Sequence, residues 1–359
     1  MIDSNKHNII LQKVLPEFGI TEATISALGN GHINDTFLIK NQQTCFVLQK
    51  LNTQVFPSPW DLVNNAEKIS QHLLQKRQQN QYQLNVVTPY LTRSGALAVD
   101  LKDEGFWRAI SYLPESHSVE VVGNADDAEL AANAFGHFSW ALSDFDATKI
   151  IDVIPKFHHL SGRIDALKQA AETDTKNRLS ECQQWVDFVL SQQNLFDELA
   201  QIESKLPLRI CHNDTKINNM LFNKQCMTAM AIIDLDTCMK GHLMYDFGDM
   251  VRTCCSPEAE DSTTLDKVIA RPDIFEALCR GYLSSLNTIL TKEEKQSLWL
   301  GAKIMPLMIG VRFLTDYLNG DMYFHTHHQQ HNLERAANQF TLYKSLLNQS
   351  EKLRKYLCE

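Results

Sequence analysis

The sequence predicts an α+β protein with two lobes: a small antiparallel β-rich lobe that contains one helix, and a larger, mainly helical lobe. Three observations predict this fold class. The first third of the chain alternates apolar and polar residues with the two-residue period of strands, interrupted by one amphipathic helix. Nearly everything after Asn124 follows helical periodicity, except for a strand-like island at 208–236. We place the lobe boundary just before Pro114, which gives lobes of 1–113 and 114–359.

The small lobe begins with three predicted strands, which lie at 23–28, 36–40 and 45–50. A Gly-Asn-Gly segment at 29–31 interrupts the pattern, so a glycine-containing turn is expected to join the first two strands. Within the third strand, Phe46, Leu48 and Lys50 alternate and therefore share one face.

One helix follows, and Ser58 as N-cap with Pro59 at the first helical position predicts where it begins. Further strands of the small lobe are predicted at 84–88, 96–100 and 106–113. In the larger lobe, helices are predicted at 125–142 and 180–190, and a capping box formed by Thr291 and Glu294 starts a long helix.

Composition and charge restrict the function. The chain has 359 residues, a mean hydropathy of -0.26 and a net charge of -9, a balance that disfavours a nucleic-acid partner. Nine cysteines without a C-x-x-C pair are expected to be free thiols in a reducing compartment. No signal-peptide pattern opens the chain, and Lys303 and Arg312 interrupt the apolar stretch at 298–314, which predicts a buried helix. We therefore expect a cytoplasmic protein without a membrane partner, whose oligomeric state stays open.

The strand-like island carries the most informative motif. His212, Asp214 and Asn219 form H-x-D-x-x-x-x-N between apolar strand residues, and Asp234 ends the next apolar run. A polar cluster between buried strands costs free energy when its groups are unpaired, so its presence here calls for a functional explanation. Phosphoryl transfer needs carboxylate and amide oxygens to hold a metal ion and a carboxylate to take the proton of the acceptor hydroxyl. We predict Asp214 as this base and Asn219 and Asp234 as metal ligands, while His212 completes the catalytic loop and supports it by hydrogen bonding.

Two upstream features extend this prediction. Lys50 at the end of the third strand and Glu67 in the first helix are placed to form an ion pair, with Lys50 reaching the α- and β-phosphates of a nucleotide. The alternative is that both are ordinary surface residues. The sequence G-x-x-x-x-G-K-[ST] is absent, which excludes a P-loop enzyme.

These motifs resemble those of the aminoglycoside phosphotransferase and choline kinase-like family, and within it those of the N-acetylhexosamine 1-kinases. The segments that carry the resemblance lie at 29–36, 212–219, 233–237, 245–249, 312–317 and 320–323. The chain departs from protein kinases in two ways: Asp234-Leu-Asp236 stands in place of D-F-G, and no A-P-E segment follows. Both departures favour a small-molecule substrate over a protein.

The resemblance implies a protein-kinase-like fold and transfer of the γ-phosphoryl group of ATP, with Mg²⁺, to the anomeric hydroxyl of N-acetylglucosamine or N-acetylgalactosamine. It implies nucleotide contacts from Gly29, Asn30, Gly31, Lys50 and Glu67. It implies acceptor contacts from His32, Asn34, Arg312, Asp316, Tyr317 and Tyr323. Asp236 either binds a second metal ion or hydrogen-bonds the catalytic loop.

Several alternatives stay open at this point. The same chemistry can serve an amino alcohol, methylthioribose or an aminoglycoside, and an inactive scaffold protein of the same fold is a competing hypothesis. Arg312 either binds the acceptor or forms a salt bridge inside the helical lobe. Asn34 either contacts the sugar or a phosphate or is only a turn residue. A buried structural network is predicted for Asp246, Asp249 and Arg252. The histidines at 325, 327, 328 and 331 have no acidic or cysteine partner within their run, so we interpret them as a solvated loop.

Overall fold

The computed structural model describes residues 8–29, 33–226 and 228–358. Its strands are β1 (Thr24–Ala27), β2 (Asp35–Lys40), β3 (Cys45–Leu51), β4 (Asn85–Val86), β5 (Ala98–Asp100), β6 (Phe106–Ser111), β7 (Ser116–His117), β8 (Arg209–Cys211), β9 (Met220–Asn223), β10 (Ala229–Ile232) and β11 (Met239–Gly241). Its α-helices are α1 (Pro59–Gln78), α2 (Ala125–Ala141), α3 (Leu160–Thr173), α4 (Leu179–Leu190), α5 (Gln193–Glu203), α6 (Leu243–Cys254), α7 (Pro272–Leu286), α8 (Lys292–Asn319), α9 (His331–Asn348) and α10 (Ser350–Leu353).

The small lobe is built on a five-stranded sheet in the order β1-β2-β3-β6-β5, in which every neighbouring pair is antiparallel. On one face, Phe46 and Leu48 of β3 pack in a core with the turns of residues 10–18. On the other face, Leu62 of α1 packs in a separate core with Phe106 of β6. The predicted α+β fold class is confirmed, and so is the start of α1 at Pro59, although the Ser58 side chain makes no capping hydrogen bond.

A second sheet, in the order β4-β10-β9-β7, is flanked by Asn219 before β9 and Asp234 after β10, while His212 and Asp214 follow β8 of a separate two-stranded sheet, β11-β8. The edge strand β4 of the second sheet was predicted among the strands of the small lobe, yet it pairs in parallel with β10. The segment that follows β4 then turns to the first sheet, where Ser111 N donates to Thr88 O at 2.8 Å and Tyr90 N donates to Ala109 O at 2.8 Å. This short segment therefore connects the two sheets through backbone hydrogen bonds.

The helical lobe is organised around α8, which packs against both α6 and α9. The predicted capping box is present: Thr291 Oγ1 accepts from Glu294 N, and Glu294 Oε2 accepts from Thr291 N. By length and hydropathy, α8 is long and apolar enough to cross a membrane, but 89% of its apolar window is buried inside the protein. It is thus the buried core helix that the sequence predicts. All nine cysteines are free thiols.

Candidate active site

A cleft of about 570 Å³ lies between the two sheets. The five-stranded sheet contributes Val47, Gln49 and Arg108, and the catalytic segment contributes Asp214 and Asn219 with the residues that follow β10. Gly29 also lines the cleft, whereas Asn30, Gly31 and His32 lie outside the described residues. Asp214, Asn219 and Asp234 of the island therefore lie in a cleft between the lobes, which is a usual place for a ligand site.

His212 lies on the buried side of the catalytic loop and does not face the cleft. Its side chain is fully buried between the ring edges of Phe135 and Phe138. The ring Nε2 lies 2.9 Å from Ile233 O, and Asp214 N donates to Nδ1 at 3.3 Å. Burial lowers its pKa, so the ring is neutral, with Nε2 as donor and Nδ1 as acceptor. A buried ring with both nitrogens occupied cannot contact substrate, so His212 is a positioning residue of the catalytic loop, and the supporting role predicted for it fits the geometry.

Asp246 on α6 fixes the same loop through its backbone. Its carboxylate accepts from His212 N at 2.9 Å and from Asn213 N at 2.7 Å, and Thr215 Oγ1 donates to Asp246 O at 2.7 Å. Burial raises the pKa of this carboxyl to about 7, although the two N–H groups oppose the rise. Asn213 has a φ of 64°, a left-handed conformation that such a network can impose.

The remaining members of the predicted network form an ion pair one helical turn further along α6. Arg252 Nε donates to Asp249 Oδ1 at 2.8 Å, and both side chains are buried. Asp246, Asp249 and Arg252 therefore form buried structural contacts, as the sequence predicts.

Asp214 is the carboxylate that the loop presents to the cleft. Its side chain is 24% exposed, and its two oxygens contact Lys216 Nζ at 3.0 Å and Asn219 Nδ2 at 2.8 Å. Burial alone would raise the pKa of this carboxyl, but the charge of Lys216 and the hydrogen bonds outweigh it and leave the pKa below its ordinary value. Asp214 is therefore ionised at neutral pH and able to accept a proton from a hydroxyl group.

Asn219 and Asp234 offer oxygens to a cation. Because Asn219 donates its amide N–H to both Asp214 O and Asp214 Oδ2, its amide oxygen stays available on the other side. Asp234 follows β10 with φ and ψ of 60° each, a strained conformation for an aspartate, and its side chain is solvent-exposed in the cleft. The protein atoms that wall the cleft partly desolvate this carboxyl, and together with the charges of Asp236 and Asp214 they raise its pKa to about 7, so the cleft favours an added positive charge here.

These donors suit Mg²⁺, which prefers carboxylate and amide oxygens and completes its coordination with water and nucleotide phosphates. In the part of the chain that the structure describes, no group of three or more His, Cys, Asp or Glu residues is arranged to hold a metal ion alone. A magnesium ion would therefore be shared between Asn219, Asp234 and the phosphates of a bound nucleotide. The histidine run at 325–331 is only partly the solvated loop that was predicted, because His331 is buried at the start of α9.

Asp236 is held by protein groups. It is buried, and it forms an ion pair with Arg108 Nη2 at 2.5 Å and accepts from Asn34 Nδ2 at 2.9 Å. Asn34 Oδ1 in turn accepts from Asn52 N at 3.0 Å. The structure thus favours the hydrogen-bonding alternative for Asp236 over a second metal ion, and it gives Asn34 a contact between the lobes. Asn34 also lines the cleft, so its predicted acceptor contact stays a prediction.

Lys50 and Glu67 do not form the predicted ion pair. Lys50 Nζ lies 5.7 Å from the ring centroid of Trp107, on the sheet face opposite to the cleft. Glu67 accepts a hydrogen bond from Gln71 one turn along α1, at 2.9 Å. The cation that sequence reasoning missed is Arg108, which lies on the neighbouring strand and points into the cleft.

Arg312 lies on α8 and is not among the residues that line the cleft. Its guanidinium carbon is 5.1 Å from the ring centroid of Phe157, 5.6 Å from that of Tyr323 and 5.4 Å from that of Phe324. Burial lowers its pKa, and the charges of Tyr323 and Asp214 oppose this change. The predicted pair of Arg312 and Tyr323 is therefore brought together on the side of Asp214.

A second arginine, which the sequence analysis did not single out, lies beside this group. Arg163 Nη2 donates to Phe157 O at 3.0 Å, and burial together with the charge of Arg312 lowers its pKa. Neither arginine forms an ion pair with a carboxylate of the described ranges. Both ring nitrogens of the adjacent His158 are buried and lack a partner among the same residues. The result is a cationic, aromatic-lined group that forms no direct ion pair within the described residues, although the negative charge of Asp214 acts on Arg312.

The predicted acceptor contacts of Asp316 and Tyr317 are wrong. The Asp316 carboxylate is fully used by the segment after α8: it accepts from the backbone N–H groups of residues 322–324 and from Asn332 Nδ2. Tyr317 is completely buried and donates to Glu181 Oε2 at 2.8 Å. Both residues shape the helical lobe, whereas Arg312 is half-buried and Tyr323 is 49% exposed.

Comparison with known proteins agrees with this geometry. A family model described as the phosphotransferase enzyme family matches residues 24–283, which is well over half of the chain and contains Asp214, Asn219 and Asp234. The chain belongs to this phosphotransferase family. The family prediction made from the motifs is confirmed at this level.

Solved structures show the same fold over the full length of the chain. An aminopropanol kinase associated with a microcompartment is 16% identical, with a TM-score of 0.58 and 98% of each chain covered. A GDP complex of aminoglycoside 2'-phosphotransferase-IIIa is 13% identical, with a TM-score of 0.57 and 99% of each chain covered. An ethanolamine kinase of Plasmodium vivax is 13% identical, with a TM-score of 0.57 and coverage of 97% of this chain and 90% of that one. The protein-kinase-like fold is therefore confirmed for this phosphotransferase.

Proposed function

We propose that this phosphotransferase transfers the γ-phosphoryl group of ATP, with Mg²⁺, to the anomeric hydroxyl of an N-acetylhexosamine. The observation that carries the acceptor proposal is the surface next to Asp214, where Arg312 lies among three aromatic rings without a carboxylate partner in the described chain. Sugars bind aromatic faces through their C–H groups and planar cationic forks through their oxygens.

In this proposal, Asp214 orients the acceptor hydroxyl and takes its proton as the bond to phosphorus forms. Lys216 keeps Asp214 ionised and places a positive charge 3.0 Å from it, at the point where the transferred group passes. Asn219 and Asp234 hold Mg²⁺, which when bound neutralises the negative charge of the phosphates. His212 and Asp246 keep the loop in position from the buried side.

The charge of the acceptor surface supports a neutral sugar over an amine. Several neighbours in fold are named as kinases of amino compounds, including aminopropanol, ethanolamine and choline. A cationic acceptor needs carboxylates or an aromatic cage free of cations. Arg163 and Arg312 would repel such an acceptor, whereas the amide carbonyl of an N-acetyl group can accept hydrogen bonds from their guanidinium groups.

A catalytically inactive scaffold is the competing proposal of a different class. It gives no reason for an ionised Asp214 and two metal-binding oxygens to converge on one cleft. The proposed reaction needs all three groups in that arrangement.

The test is coupled ADP release with Mg²⁺-ATP and a panel of acceptors: N-acetylglucosamine, N-acetylgalactosamine, glucosamine, choline, ethanolamine, methylthioribose and kanamycin. Phosphorus NMR of the product identifies the phosphorylated position. We expect turnover on an N-acetylhexosamine to give the 1-phosphate and little turnover on the cationic acceptors. Turnover only on choline, ethanolamine or kanamycin would overturn the acceptor proposal, and ATP binding without turnover on any acceptor would favour the scaffold.

A further inference from the structure

We infer that Arg108 on β6 binds the phosphates of the nucleotide donor, in the role that the sequence analysis gave to Lys50 on β3. This inference rests on the proposed use of ATP, and it assigns the donor end of the site to a different strand and a different side chain.

The register of the sheet decides which residues can reach the phosphates. In the antiparallel pair of β3 and β6, Gln49 lies opposite Arg108, and Lys50 lies opposite Trp107. Opposed residues share a face, and neighbours along a strand point to opposite faces. Gln49 and Arg108 therefore face the cleft together, while Lys50 and Trp107 face the other way.

The packing around Lys50 confirms this direction. A Cβ atom added to Gly105 would lie 2.2 Å from Lys50 Cε, so the lysine side chain lies directly over that glycine. Trp107, its cross-strand neighbour, is completely buried in the core on the face away from the cleft. Lys50 cannot reach the cleft without crossing the sheet.

The guanidinium of Arg108 is fixed by two groups and keeps one arm free. Its Nε donates to Gln49 Oε1 at 2.9 Å, and its Nη2 pairs with Asp236 at 2.5 Å. Gln49 is held in turn by a hydrogen bond to Thr36 Oγ1 at 3.3 Å. The Nη1 group has no hydrogen-bond partner among the residues that the structure describes. A planar fork held on two sides, with its third nitrogen unpaired, is well suited to bind phosphate oxygens.

The position of Arg108 also fits the donor and not the acceptor. Its partner Asp236 comes two residues after Asp234, so the guanidinium lies beside the proposed metal ligand. Gly29 lines the same cleft. Arg108 thus adds a fixed positive charge to a region whose carboxylates Asp214, Asp234 and Asp236 would otherwise repel a nucleotide.

The experiment is equilibrium binding of ATP, ADP and adenosine, each with Mg²⁺, to the wild-type chain and to Arg108→Ala, Arg108→Lys and Lys50→Ala variants. Thermal melting first establishes that each variant is folded. We expect Arg108→Ala to weaken ATP and ADP binding by tenfold or more and adenosine binding by less than twofold, since adenosine has no phosphate. Arg108→Lys should recover part of the ATP affinity, and the matched control Lys50→Ala should bind all three compounds like the wild type.

Three results would overturn the inference. Equal losses for adenosine and ATP in Arg108→Ala would mean that the arginine only holds Asp236 and the shape of the cleft. Unchanged ATP affinity in Arg108→Ala, or a selective loss of ATP affinity in Lys50→Ala, would mean that a residue other than Arg108 binds the phosphates. A wild-type chain that binds no ATP would instead overturn the proposed function, so the two failures are distinguishable.

Discussion

At the scale of single residues, the residue proposed to contact the substrate differs from the residues that hold the catalytic loop in position. Asp214 faces the cleft and is ionised, while His212 lies behind it with both ring nitrogens occupied. Asp246 holds the backbone of the same loop from α6. The chemistry therefore depends on one carboxylate, and the neighbouring polar residues determine where it lies.

Replacing Asp214 by Asn should lower kcat by about 10²–10⁴-fold, because the amide cannot accept the hydroxyl proton. The KM for Mg²⁺-ATP should change little, since Asn219 and Asp234 are untouched. Steady-state kinetics on the preferred acceptor measure both constants, and Asp266→Asn at an exposed site is the matched control. Near-normal kcat in the Asp214 variant would remove this residue from the mechanism.

Asp246 predicts a pH dependence of stability. Its pKa of about 7 in the folded chain lies above the ordinary value of 3.8, so between these two pH values the folded state binds more protons than the unfolded state. The contribution of this group to the free energy of unfolding therefore falls as pH rises from about 4 to about 7.

An Asp246→Asn variant should lack that fall, because its side chain does not titrate. Thermal or urea unfolding at pH 5 and pH 7.5 gives the change in stability for both chains. The wild type should lose more stability than the variant over this interval. Equal losses in the two chains would show that Asp246 does not titrate in this range.

How far sequence reasoning reached depends on the residue. Asp214, Asn219 and Asp234 follow from a short motif whose spacing fixes their relation, and the structure brings all three to one cleft. The alternation that puts Lys50 on the face of Phe46 and Leu48 was also right, but it does not say which face of the sheet meets the cleft. That choice depends on packing against residues 10–18, which only the tertiary structure shows.

At the scale of elements, long periodic segments were predicted well and short ones were not. The helices at 125–142 and 180–190 and the start of α8 agree with the structure to within a residue or so. β4 has two residues, and its partner β10 lies far along the chain, so local periodicity cannot assign it to a sheet. Asp316 and Tyr317 were misassigned because a helix bearing Arg312 also turns neighbouring residues towards its own core.

The contact of α6 with α8 depends on two glycines that allow the backbones to approach closely. A Cβ atom on Gly301 would lie 1.9 Å from Met244 O, and one on Gly248 would lie 2.2 Å from Gly301 O. Gly301→Ala should therefore lower the free energy of unfolding by about 1–3 kcal/mol through overpacking. Urea unfolding measures this loss.

Gly123→Ala is the matched control, because an added Cβ would meet only the end of the Asp127 side chain, at 3.0 Å. That variant should unfold within about 0.5 kcal/mol of the wild type. A Gly301 variant as stable as this control would mean that the two helices can separate without cost.

At the scale of the whole molecule, polar contacts join the lobes around an open cleft. Asp236 pairs with Arg108 of the five-stranded sheet, and Asn65 of α1 exchanges hydrogen bonds with the backbone of Ile151. Apolar packing joins them as well, because Ile69 and Leu73 of α1 lie in one core with the helices of the larger lobe. Cytoplasmic location and the absence of a membrane partner stay predictions from the sequence.

A nucleotide that bridges the cleft should stabilise the whole chain in a Mg²⁺-dependent way. ADP with Mg²⁺ at 100 times its Kd should add about 2.7 kcal/mol to the free energy of unfolding, and the same ADP concentration without Mg²⁺ should add less. Thermal melting with and without a chelator measures the difference. Asp234→Asn should abolish the Mg²⁺-dependent part, and an undiminished Mg²⁺ effect in that variant would exclude Asp234 as a ligand.

Asp316 has a consequence for engineering this protein. One carboxylate holds the backbone of 322–324, and with it Tyr323, while the phosphate-binding and proton-accepting groups lie on other segments of the chain. A combinatorial library that randomises 322–324 but keeps Asp316 would vary the acceptor surface on a fixed anchor. Under the proposed function, selection from such a library is a route to new acceptor specificities that leaves Asp214 and Arg108 unchanged.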